Sequence, residues 1–346
     1  MNIIHWNISK KSHPMYALRK YEDALFSHIK ELRQDWNIGR IWRSDGKIFG
    51  STVFSWFFYK NNDADVVHAT SQTVAPAVYF RFKKPKKFIV TVHDLAPLVY
   101  PSEITDVSMK IQFMLTPRAL KKADRIIAIS EFTKGEIMKL LGIEEERISV
   151  VYQGVDHKRY KPMDKIECKR RFGLNPEDRH VLVVSSNVEH KRLDLARRIL
   201  NGLRAAREDV KMIRAGYGEL LEGDGVISVG WVPEERMPLL YNAADIFLHT
   251  SEYEGFGLPV LEAMACGTPV VAFKKASIPE VLGNCGRLVE SGDGEGVVKA
   301  FVDRILEIMD KGKDWRAVER SKMFSWKKTA EETIKVYEEL IRDESA

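Results

Sequence analysis

Residues 245–273 read "DIFLHTSEYEGFGLPVLEAMACGTPVVAF". The run "DIFLHTS" is apolar and β-branched but too short for a helix, so it predicts a buried strand. A glycine-rich turn follows. Pro259 then stands where a first helical residue should, "VLEAMA" continues to Gly267 as the expected left-handed terminator, and Pro269 lies beyond it. "TPVVAF" supplies a second apolar run, so the stretch is a strand, a helix and a strand within 29 residues. That is the unit from which parallel sheets with crossover helices are built.

The same rhythm extends in both directions. "DVVHA", "KFIVTVHD", "RIIAIS" and "ISVVYQG" alternate with helical patterns in the first half, and "HVLVVSSN", "VKMIRAG" and "GVISVG" do so before the quoted stretch. The two sets flank "GVDHKRYKPMDKIECKRRFGLNPEDRH", polar and Pro-containing, which suits an interdomain connection. The closing "FSWKKTAEETIKVYEELIRDESA" places Ile334, Tyr337 and Ile341 on one face of a final helix. The fold class is α/β, with two doubly wound Rossmann-like domains. Their expected limits are residues 1–158 and 159–325, with residues 326–346 as a helix packing back on the first.

Composition agrees. A chain of 346 residues with 45% apolar content exceeds one hydrophobic core. A formal net charge of +5 suits anionic small ligands or a membrane surface and falls short of a nucleic-acid footprint. Cys168, Cys266 and Cys285 lack C-x-x-C spacing, implying neither a disulfide framework nor a zinc site, and a reducing cytoplasm fits. "MNIIHWNISKK" is too short an apolar run for a signal peptide, and no spanning helix is expected. Scarce glutamine with abundant Lys, Arg and Glu is the bias of heat-adapted proteins.

In open α/β sheets ligands bind beyond the carboxyl ends of the strands. Those ends carry His68, His93 and Ser130 in the first half, and Ser185, Ser186 and the segment 252–257 in the second. Gly255-Phe256-Gly257 precedes a helix whose free amides favour a phosphate, and the absent Cβ atoms let a ligand reach the backbone. Glu254 and Glu262 flank this turn. A carboxylate beside a phosphate repels it, so the pair is expected to aim at neutral donors, the hydroxyls of a sugar and a ribose. A glycosidase acid and nucleophile would also use two carboxylates, but that reading leaves the anion-ready turn unexplained.

The Glu-x7-Glu element in "EGFGLPVLEAMACGTPVV" closely resembles that of the retaining glycosyltransferase family 4, of the GT-B fold, in which two domains face each other across a cleft. The resemblance extends through "ADRIIAISEFTKGEIMKLLGIEEERISVVYQGVD", "VGWVPEERMPLLYNAAD", "IPEVLGNCGRLVE" and "FSW". It implies transfer of a hexose, mannose or glucose by family frequency, from a nucleoside diphosphate sugar with GDP or UDP as carrier. Glu254 resembles the glutamate that contacts the donor sugar, Glu262 the one that holds the ribose, and the amides of Gly255, Phe256, Gly257 and Leu258 those that meet the diphosphate. Lys191 matches the lysine that neutralises the leaving diphosphate. His190 replaces an arginine before it, and Ser185-Ser186 stands where members carry glycine-arginine or glycine-serine, with Ser186 taken as a donor contact. His93 in "TVHDLAP" resembles the histidine facing the reacting sugar, and Ser130 aligns with a residue lining the same cleft. For His68 a loop-stabilising role is equally expected.

The amino-terminal segment departs from the family, with "ISKKSHPMYALRKY" where many members have a Gly-Gly pair. Lys10 and Lys11 there, and Lys83 and Lys84 in "RFKKPKK", are the candidates for acceptor-phosphate or membrane contact, together with the aromatic "FGSTVFSWFFYK". A core helix and a charged turn are the alternative. Expected partners are the nucleotide sugar and a glycan or lipid-phosphate acceptor, with no metal and no other cofactor. A nucleotide-sugar epimerase and a non-catalytic nucleotide-binding partner subunit are the other functional classes.

Overall fold

The computed structural model describes residues 1–7, 16–42, 64–76, 86–104, 106–218 and 221–342. Lys10, Lys11, Lys83, Lys84 and the aromatic stretch 49–60 lie outside these residues. The chain divides into two compact units, one formed by Met1–Gly154 with Trp326–Ala346 and the other by Val155–Ser325.

The first unit holds β1 (Asn2–Asn7), β2 (Asn37–Trp42), β3 (Val66–Ala69), β4 (Lys87–Val92), β5 (Arg125–Ala128) and β6 (Ile148–Val150). They form a parallel sheet in the order β2-β1-β3-β4-β5-β6. β3 and β4 are apolar along nearly their whole length because helices cover both faces of such a sheet. The last helix, Trp326–Arg342, packs against the helix Tyr16–Leu32. Its Tyr337 is fully buried and Ile334 nearly so.

The second unit holds β7 (Arg179–Val184), β8 (Val210–Ala215), β9 (Val226–Gly230), β10 (Ile246–His249), β11 (Val270–Phe273) and β12 (Arg287–Val289), all parallel. Their order is β12-β11-β10-β7-β8-β9. The chain builds outward from β7 in one direction and, from β10, outward in the other. β7 and β10 are therefore the pair at which strand order reverses, and open sheets of this kind bind ligands beyond the carboxyl ends of such a pair.

The quoted stretch folds as β10, a turn, the helix Leu258–Ala265 and β11. Leu258 is the first helical residue and Pro259 the second, one place later than the sequence suggested. Gly267 ends the helix at φ 72°. Its amide donates to Met264 O and that of Thr268 to Ala263 O, each at 2.9 Å, the paired bonds of a Schellman cap.

The polar segment before β7 is not a loose connection. Its helix Lys165–Arg171 buries Cys168 and Lys169 and packs on the helix Met237–Ala243. The lysine explains why: fully buried, it lies 3.1 Å from Asp245, which sits just before β10. This charge is paired inside the unit.

Candidate active site

The site at β7 and β10 is assembled from two loops tied together by backbone. Glu252 N donates to His190 O at 2.8 Å, and Thr250 Oγ1 to Lys191 O at 2.8 Å. These bonds fix the loop after β7, which carries Lys191, against the loop after β10, which carries Glu254. Ser277 Oγ donates to Glu254 O at 2.9 Å and holds the second loop from the β11 side. Two non-glycine residues beside it adopt left-handed backbone, Arg192 at φ 52° and Ala276 at φ 53°. Such strain persists only where surroundings over-determine it. For Arg192 they do: its guanidinium pairs with Glu252 and Asp293, and Lys275 reaches the other oxygen of Glu252 at 3.1 Å.

Lys191 Nζ donates to Glu254 Oε1 at 2.5 Å, and His249 Nε2 lies 3.2 Å from the same oxygen. Burial works to raise the Glu254 carboxyl, but the Lys191 ammonium and His249 overcome it and hold the group well below the usual carboxylate range. Sequence reasoning assigned Glu254 to neutral donors only. In the structure its partners are basic, because a carboxylate this enclosed needs countercharge. Both contacts converge on Oε1, and no described residue donates to Oε2.

Gly257 sits at φ 95° immediately before the helix Leu258–Ala265, and a Cβ there would lie 2.7 Å from Ile278 Cδ1. Only glycine fits. Phe256 anchors the turn, buried edge-on against Phe324. Further along, Glu262 is 6% exposed and accepts a hydrogen bond from Tyr241 Oη at 2.8 Å. It is not a solvated helix-face residue.

Ser186 is exposed, and its carbonyl accepts from Ser185 Oγ at 2.8 Å. The adjoining loop after β8 comes close: a Cβ on Gly216 would lie 1.9 Å from Ser185 O. Arg214, fully buried, braces that loop by donating to Gly216 O at 2.6 Å and Tyr217 O at 2.5 Å.

In the first unit His93 follows β4. Its ring is nearly buried and both nitrogens are engaged, Nε2 with Thr70 O at 2.8 Å and Nδ1 with Gln153 Nε2 at 3.0 Å. Donation to the carbonyl and acceptance from the amide require a neutral ring, and burial pushes its pKa down to about 4 against the Thr70 hydrogen bond. Ser130 is fully buried and caps the helix Glu131–Leu141, accepting from Thr133 N at 2.9 Å and donating to Thr133 Oγ1 at 3.0 Å. That hydroxyl is committed to the helix start. His68 is a core residue, bonded to Tyr337 Oη at 2.6 Å and Thr91 Oγ1 at 2.7 Å. His5 meets the same tyrosine hydroxyl at 3.0 Å.

Sequence reasoning missed His249, Arg192, Ser277 and Tyr241. His249 had a signal, since it is the last residue of a strand at the reversal point. The others are drawn in by tertiary packing.

Buried neutral histidines set the pH response. Burial lowers His5 to about 3, His93 and His180 to about 4, and His68 well below the ordinary value. Unfolded, each binds a proton near pH 6.5. The unfolded chain then holds more protons than the folded one between about pH 6.5 and 4, so stability is full above that window and falls on acidification. We expect Tm to drop steadily from pH 7 to 4.5, with up to about 1.4 kcal/mol per pH unit from each group. A Tm unchanged down to pH 5 would contradict this.

Two family models match, one in each half: Glycosyltransferase Family 4 over residues 34–159 and Glycosyl transferases group 1 over residues 178–311. The chain is 28% identical to O-antigen chain mannosyltransferase B of Escherichia coli, across 73% of this chain and 70% of that protein. It is 29% identical to an MMP alpha-(1->4)-mannosyltransferase of Mycolicibacterium hassiacum, across 97% of this chain and 84% of that one. Among solved structures, HepE of Anabaena in complex with UDP-glucose matches at a TM-score of 0.70 and 19% identity, covering 98% of this chain and 100% of that one. Two parallel-sheet units with these matches make the protein a glycosyltransferase of the GT-B fold. It belongs to the family 4-like glycosyltransferases.

Proposed function

We propose that the protein transfers a hexosyl unit, mannose or glucose, from a nucleoside diphosphate sugar to a glycan or lipid-linked acceptor with retention of anomeric configuration. The observation that carries this reading is the pairing of Lys191 with Glu254 at the reversal point of the second sheet, directly before a glycine turn and a helix start. An ammonium and a row of amides suit a departing diphosphate. Glu254 Oε2 suits a sugar hydroxyl, and Glu262 a ribose.

Each group then has one task. Lys191 and the amides of Gly255 to Leu258 neutralise the charge that develops on the leaving diphosphate. Glu254 orients the sugar, and Glu262, positioned by Tyr241, holds the ribose. His93, expected from the family resemblance to face the sugar, has both ring nitrogens bonded within the first unit and is assigned no hydrogen bond to the donor. Lysine and helix dipole supply the positive field, so no divalent ion is required. Mannosyl transfer is favoured by the names of the two relatives, and UDP remains open because HepE was solved with UDP-glucose.

The test is product analysis. Purified protein is incubated in EDTA with GDP-mannose or UDP-glucose and a simple glycoside acceptor series, and the anomeric configuration of the product is read by NMR. An α-linked product from the α-linked donor in EDTA supports the reading. An inverted product, or a strict metal requirement, overturns the corresponding part.

A further inference from the structure

We propose that His249 is a positioning residue for Glu254, a standby donor that keeps the carboxylate oriented and ionised when Lys191 is drawn away to an anionic ligand. The inference rests on the reading of Lys191 and Glu254 given above, and deepens it. His249 ends β10 and is 4% exposed, and its Nε2 lies 3.2 Å from Glu254 Oε1, near enough for an ion pair but off hydrogen-bond geometry, so that this buried nitrogen makes no hydrogen bond among the described residues and is available to turn onto the carboxylate. Phe247, two residues back on the same strand, lies beside its ring with centroids 6.1 Å apart and an interplanar angle of 27°.

The geometry assigns unequal work to the two donors. Lys191 carries its ammonium on a long four-carbon stem 2.5 Å from Oε1, whereas the imidazole is short and enclosed. A diphosphate carries more negative charge than one carboxylate, so Lys191 turns toward it when it binds. Glu254 would then be a buried carboxylate with no partner, and such a group takes up a proton or reorients. His249 prevents both. Arg192 and Lys275, on the neighbouring loops, are committed to Glu252.

The test removes Lys191 to imitate its departure, and compares Lys191→Ala/His249→Gln with Lys191→Ala/His249→Phe. Glutamine keeps an N–H donor and phenylalanine does not. With the donor present, the folded pKa of Glu254 stays at or below its unfolded value, and that carboxylate adds no loss of stability as pH rises. Without it, the folded pKa is raised above the unfolded value, so its contribution is present at low pH and lost as pH rises. Relative to the Gln variant, the Phe variant should therefore lose about 2–4 °C of Tm between pH 5.5 and pH 8. Parallel Tm profiles for the two variants would overturn the proposal. Where the Phe double variant does not fold, turnover with Lys191 intact decides: His249→Phe should lower kcat for hydrolysis of UDP-glucose or GDP-mannose about tenfold while His249→Gln stays within about twofold. Equal losses in both variants would overturn it. If wild-type protein consumes neither nucleotide sugar, the glycosyl-transfer reading is what fails, and the Tm comparison still judges the contact between His249 and Glu254.

Discussion

Replacing Lys191 with alanine is expected to reduce turnover of a nucleotide sugar by about a hundredfold or more. The leaving group is a diphosphate, and its charge develops in a site enclosed enough to leave Glu254 only 15% exposed. A preorganised donor in such surroundings is worth about 3–4 kcal/mol to the transition state. Lys191 is preorganised by its loop: its carbonyl is bonded by Thr250 Oγ1 and that of its neighbour His190 by Glu252 N. The loss should fall mainly on kcat, because the charge grows as the bond breaks. Steady-state release of the nucleoside diphosphate measures it. A near-normal rate would place the neutralising charge elsewhere.

The second large effect is on stability. Asp245→Ala should cost about 3–5 kcal/mol in denaturant unfolding, since it leaves a buried ammonium without its countercharge. Asp245 is 3% exposed and holds Lys165 at 2.7 Å, Lys169 at 3.1 Å and the His180 amide at 2.9 Å. Lys169 would retain the carbonyls of Pro176 and Asp178, which supply dipoles but no charge. The residue stands just before β10 and bonds the first part of β7, so it joins the same strand pair whose far ends carry Lys191 and Glu254. Asp245→Asn should cost less, because an amide oxygen still accepts. A loss under about 1 kcal/mol for the alanine variant would show that Lys169 relaxes to solvent.

Much of this was legible in residues alone, where one physical constraint dominates. A buried parallel strand must be apolar on both faces, so "HVLVV" and "TPVVAF" announced β7 and β11. Gly267 was readable as a terminator because few other residues adopt φ 72° without strain. Glu254 was readable because a glycine turn before a helix singles out its neighbours, whereas Lys191 was singled out only by its resemblance to the family's lysine. The packed helix within residues 154–180 was not foreseen, since nothing local says that Lys169 has a carboxylate 76 positions away. His249 was passed over for the same reason, as was the Tyr337 hydroxyl that joins His5 and His68 from the far end of the chain. Short polar side chains that meet only in three dimensions leave no periodic trace. Ser130 shows the opposite case, a residue placed at a strand end whose hydroxyl is used by the helix that follows.

The most direct test of the account is calorimetric titration with UDP, GDP and ADP in EDTA, on the wild type and on Glu262→Gln and Glu262→Ala. The glutamine variant keeps an acceptor for Tyr241 and so guards against a merely structural loss. The account predicts that one nucleotide binds the wild type without metal and that both variants bind it at least tenfold more weakly, in line with loss of a hydrogen bond to a charged group. Wild-type protein that binds no nucleotide, or variants that bind as tightly as it does, would contradict the assignment of this site to a nucleotide sugar.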